Sequence, residues 1–194
     1  DVGWNYYVET SSAVYGGQLD VSGGMYVGDS SSSVALTQTD GTVQARSVYV
    51  EYDDLYEMSG GALSLSYDLK IGDYYGGTFA QSDGTVTVGD EAKVYSGGRY
   101  ELSGGTLEVT NLFELGGVLA FAGGDGTFAL ANDGIGEFSG GTLLNAGGTT
   151  YTGGIQSESY FPAGFNPYAK FGSFSSQGLV HSTSTRLIIP VTYS

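Results

Sequence analysis

Apolar and polar residues alternate in short bursts along most of this chain. Thr85, Val86, Thr87 and Val88 alternate, as do Thr106, Leu107, Glu108 and Val109, so each burst turns one side toward a core and the other toward water. Bursts of about four residues, each stopped by Gly, Ser or Asp, predict strands. Three of them follow in succession at 78–81, 85–88 and 92–95. No window of helical length holds a 3.6-residue period without a glycine, which nearly excludes helices.

The bursts also recur as a cassette. Tyr56-Glu-Met-Ser-Gly-Gly-Ala-Leu-Ser-Leu65, Phe79-Ala-Gln-Ser-Asp-Gly-Thr-Val-Thr-Val88 and Tyr100-Glu-Leu-Ser-Gly-Gly-Thr-Leu-Glu-Val109 share a ring, a polar turn closing on glycine, and an alternating strand. Poorer copies centre on Gly23-Gly24, Asp40-Gly41, Asp125-Gly126 and Gly140-Gly141. The second turn residues, Gly24, Gly41, Gly61, Gly84, Gly105, Gly126 and Gly141, are 17, 20, 23, 21, 21 and 15 positions apart. Repetition at a fixed period of this size is the signature of a stacked architecture, in which each repeat buries its apolar side only against its neighbours.

The pattern therefore predicts an all-β fold, a parallel β-helix (β-solenoid) of roughly seven coils of about 20 residues over positions 15–154. Glycine at the corners would supply backbone angles that a Cβ forbids and allow one coil to approach the next. An antiparallel sandwich is the competing arrangement, because Asp40-Gly41, Asp83-Gly84 and Asp125-Gly126 also suit hairpin turns.

The flanks read differently. Residues 1–14 alternate as an N-terminal cap or assembly strand, with Trp4 placed to cover the first coil and Tyr6 on the same side. Residues 155–194 lose the cassette and carry Phe161, Phe165 and a last alternating stretch with Leu187, Ile189, Val191 and Tyr193 on one side, and Pro190 makes that stretch an edge or addition strand. It would cap its own solenoid or exchange with another subunit. These eight residues are the candidates for assembly.

Charge separates the same two regions. The chain has 21 acidic and six basic side chains and a net charge of -15, with 20 acids and four bases in 1–154 but only Glu158 against Lys170 and Arg186 in 155–194. So acidic a body disfavours nucleic acid, and no apolar run approaches the length of a membrane span. Cations, extracellular polysaccharide or further copies of the chain are the partners it suits. Sixteen tyrosines among 194 residues provide rings for core ladders or for exposed surfaces.

Catalytic chemistry is sparse. With no cysteine and a single histidine, His181, neither a thiolate metal site nor a paired nucleophile is available. Asp53-Asp54, Asp73 and Asp90 lie near bends and leave calcium as the one cofactor to consider, a solvated acidic face being the simpler reading. Gly123-Gly-Asp-Gly-Thr127 echoes a calcium-loading turn only once. No cofactor and no enzyme activity are expected.

The segments at 77–88 and 99–109 resemble repeats of large bacterial exported proteins, among them autotransporter-like passengers and glycine-rich PEP-CTERM-associated surface proteins. The resemblance covers chiefly 56–145. It implies a right-handed parallel solenoid and an extracellular or cell-surface location, and it transfers no site residue. The shortness of the chain and the distinct 160–194 segment suit a processed subunit. The functional expectation is a structural subunit of an extracellular filament, sheath or biofilm matrix; a carbohydrate-binding or adhesive module is the alternative, and a polysaccharide-degrading enzyme a more distant one.

Overall fold

The computed structural model describes residues 4–121 and, beyond them, the strands Thr127–Leu130, Ile135–Phe138, Thr142–Asn145, Thr150–Gly153, Gly178–His181 and Thr185–Arg186. All regular structure among the described residues is β. Each coil contributes strands to three faces, here A, B and C in chain order. On face A, Tyr6–Val8, Gly24–Val27, Ser47–Val50, Leu69–Ile71, Glu91–Val94, Leu112–Leu115 and Ile135–Phe138 pair in parallel, each with the next in this order. Face B begins with Ser12–Val14 on Ala35–Gln38, and face C with Gln18–Asp20 on Thr42–Ala45. In the third and fourth coils the two faces share one continuous strand, Leu55–Leu65 and Gly77–Val88, with register shifts between Gln81 and Thr85.

The chain is a parallel β-solenoid. Its unbroken stretch makes about five turns, and the later strands bring face A to seven parallel rungs. Every pairing between successive rungs is parallel, which removes the antiparallel sandwich. Asp40-Gly41 and Asp83-Gly84 turn the chain from face B to face C rather than reversing it, and Asp125-Gly126 lies outside the described residues. Stacked positions such as Leu36, Tyr56, Phe79 and Tyr100 are separated by 20, 23 and 21 residues, close to the expected period.

Glycines stack at the corner between faces B and C in successive coils. Gly41, Gly61, Gly84 and Gly105 have φ of 80°, 77°, 82° and 75°, a left-handed conformation that costs other residues about 1–2 kcal/mol. A Cβ on Gly84 would lie 2.6 Å from the Gly61 carbonyl oxygen of the coil before. The first-coil member of this column is Gly17, with φ 78°, since Gln18 pairs with Thr42. Gly24, expected at a corner, instead opens the face A strand Gly24–Val27. Two glycine doublets compete at the start of the chain, and only the first is followed by a strand whose Leu19 falls in register with Val43. The ladder also begins at Tyr6, upstream of the expected position 15.

The interior is built as columns. Tyr56, Phe79 and Tyr100 stack with centroids 4.6 and 4.9 Å apart, the spacing that adjacent parallel strands impose. Val43, Leu63, Val86 and Leu107 form the matching buried column on face C. Coil stacking thus converts one cassette position into a continuous apolar row, and burial of each ring contributes roughly 2–3 kcal/mol.

Candidate functional site

The first coil has an unpaired side. Among the described residues Tyr6–Val8, Ser12–Val14 and Gln18–Asp20 each pair with only one strand, so their outer backbone groups form an edge of the kind that templates strand addition. Trp4, Tyr7 and Tyr15 stand around this end with 89%, 58% and 77% of their surfaces exposed. Trp4 was expected to cover the first coil, but its ring points to solvent: only its backbone reaches inward, close against Gly23. Tyr6 is partly buried against the core.

At the opposite end, Gly178–His181 pairs antiparallel with Thr142–Asn145 on face B, and Thr185–Arg186 pairs antiparallel with Ile135–Phe138 on face A. His181 lies in the first of these strands, opposite Thr142. Phe161, Phe165, Leu187, Ile189, Val191 and Tyr193 lie outside the described residues, as does the glycine-rich turn before Thr127.

The carboxylates considered for calcium do not converge. Asp54 is buried and accepts the N–H groups of Asp29 at 2.9 Å and Val34 at 2.5 Å, pinning the loop between them. Asp90 accepts from Asn111 Nδ2 at 3.0 Å. Asp53 has a left-handed φ of 61° and packs its carboxylate against Gly76. Desolvation holds Glu51 above the usual carboxylate range, and the charge of Asp73 adds to the shift. No group of three or more potential ligands capable of holding a metal occurs among the described residues.

Tyrosines divide into four environments that the sequence did not separate. Tyr56 and Tyr100 are core residues, their phenols pushed up by burial and therefore held as neutral donors. Tyr7, Tyr26 and Tyr49 form an outward ladder on face A with centroids 5.0 and 4.6 Å apart. Tyr52 stacks beside Tyr74 and Tyr75 at a corner. Tyr67 and Tyr95 lie beneath cations, Arg46 at 4.4 Å and Lys93 at 4.9 Å from their centroids.

The basic residues are unequal as well. Lys70 pairs with Asp68 at 3.2 Å and Glu91 at 3.9 Å, Lys93 with Glu114 at 2.6 Å, and Arg99 with Glu101. Arg46 has no carboxylate partner among the described residues, and its guanidinium rests on the Tyr67 ring. It borders a polar groove of about 700 Å³ spanning the first three coils. The sequence offered the tyrosines only as rings for ladders or surfaces; the separation of Arg46 and Tyr67 by 21 positions, one coil, is the signal that joins them.

No family model, no curated protein and no solved structure matches the chain.

Proposed function

We propose that the chain is a structural subunit of an extracellular filament, sheath or matrix, assembled end to end along the solenoid axis. The observation that supports this reading is the first coil: three strands with an unpaired side, ringed by the exposed aromatics Trp4, Tyr7 and Tyr15. Joining that edge to another copy would satisfy its backbone groups and remove the rings from water. At the other end the antiparallel strand Gly178–His181 is the segment for exchange between copies, since pairing with a neighbour's first coil uses the same backbone chemistry as pairing with its own last one.

Such a polymer works mechanically. Ladders running along the axis resist extension, apolar columns cement adjoining coils, and the net charge of -15 limits side-by-side bundling. Seven rungs at the sheet spacing give a subunit length of roughly 35 Å along the axis. Electron microscopy of the full chain should show regular fibres with a repeat related to that length, and sedimentation should show concentration-dependent growth that is lost when residues 177–194 are deleted. A full chain that stays monomeric over a wide concentration range refutes the proposal.

A further inference from the structure

The groove beside Arg46 follows from the strand register. Asp20, Gln44 and Ser64 occupy successive rungs of one outward column on face C, and Arg46, Ser66 and Tyr67 line the corner that follows. Between these two rows the chain leaves a trough walled by a carboxylate, an amide and hydroxyls, with one guanidinium at its side. Gln18 Nε2 donates to both Asp20 oxygens, at 2.8 and 3.0 Å, and so fixes that carboxylate.

Arg46 is held in a way that leaves its chemistry free. A guanidinium resting on an aromatic ring uses its π face, while its N–H groups lie in its own plane and remain available as a fork for a carboxylate. Backbone bonds secure both residues: Arg46 N donates to the Gly23 carbonyl at 3.0 Å, and Tyr67 N to the Arg46 carbonyl at 2.8 Å. In a chain this acidic, Lys70, Lys93 and Arg99 are each neutralised by a carboxylate.

We propose that this groove binds a saccharide unit bearing a carboxylate, a uronic acid residue of a polysaccharide. Arg46 takes the sugar carboxylate, while Gln44, Ser64 and Ser66 exchange hydrogen bonds with ring hydroxyls. Asp20 accepts from a hydroxyl farther along the trough and repels a carboxylate there, which orients the ligand. Tyr67 is a positioning residue: it fixes the guanidinium and leaves the hydrogen bonding to Arg46. One unpaired arginine suits one acidic unit at a time, since Lys70, Lys93 and Arg99 are already paired.

The test is a calorimetric titration of the full chain with trigalacturonate, with galactotriose as the neutral counterpart and triglutamate as an acid without sugar hydroxyls. Saturable binding of trigalacturonate alone is expected. Arg46→Gln should weaken it by about tenfold or more, the loss of a charged hydrogen-bonded pair. Tyr67→Ala should weaken it severalfold, whereas Tyr67→Phe, which keeps the ring, should restore it, with circular dichroism unchanged in each variant. Absence of binding, equal binding of triglutamate or galactotriose, or indifference to Arg46→Gln overturns the proposal. Polymer formation by Arg46→Gln is scored separately: loss of polymers with trigalacturonate binding intact identifies the groove as a subunit contact and also overturns it, whereas intact polymers with lost binding support it. The inference is independent of the filament proposal.

Discussion

The Tyr100 hydroxyl donates to Oε1 of Gln81 at 2.5 Å across the step between two coils, and the bond from Tyr56 to Gln38 repeats it at 2.7 Å. Both glutamines are buried, and each donates Nε2 to a carbonyl in the next coil, Gln38 to Ala62 and Gln81 to Thr106, both at 3.0 Å. The glutamines are 43 positions apart and the tyrosines 44. Coils two and three, and coils four and five, are therefore stapled in pairs: one cassette brings a Gln before its Asp-Gly corner, the next a Tyr that satisfies it.

Breaking one staple should expose this coupling. Tyr100→Phe leaves a buried amide oxygen without a donor and should cost about 1–3 kcal/mol. Combining it with Gln81→Met should cost clearly less than the two separate losses added, when unfolding is followed in denaturant. Strict additivity would mean that the bond contributes nothing.

Corner glycines differ in what confines them. Gly17 and Gly84 share a left-handed φ, but a Cβ at Gly17 meets nothing within 4 Å, while one at Gly84 meets the Gly61 carbonyl oxygen. Gly17→Ala should cost about 1–2 kcal/mol from backbone strain alone. Gly84→Ala should cost more, because it also pushes two coils apart. Equal melting temperatures for the two variants would contradict this account of the corner.

Asp54 is a loop anchor and can be tested as one. Asp54→Ala removes the acceptor of two amides and should cost about 2–3 kcal/mol. Hydrogen exchange should accelerate at the amides of Asp29 and Val34, with the Tyr100 and Leu107 amides last to respond. Unchanged protection at Val34 would dismiss the anchor.

The raised affinity of Glu51 for its proton has a definite sign. Its folded form ionises less readily than its unfolded form because of desolvation and the nearby Asp73, so its contribution favours folding at low pH and is lost as pH rises through its elevated folded value. Glu51→Gln should therefore raise the melting temperature at pH 7 and change it little at pH 4. The gain should be small, below about 1 kcal/mol, since the group is still partly exposed and solvent screens its charge. A gain that is greater at pH 4 would reverse the assignment.

Local chemistry alone determined that this chain forms short strands, that glycine marks its corners, and that the repeat has a coil's length. Those properties follow from alternation and backbone sterics, which act within a few residues; Thr85 to Val88 declare their buried side without any neighbour. Stacking decided everything that joins residues a whole coil apart: which of two early glycine doublets is the corner, that Gln38 awaits Tyr56, and that Arg46 finds a ring in place of an acid. The parallel register brings position i beside a residue roughly 20 further on, and a few residues gained or lost at a bend change that partner completely. A linear pattern carries the period, but only the folded ladder selects the pairs.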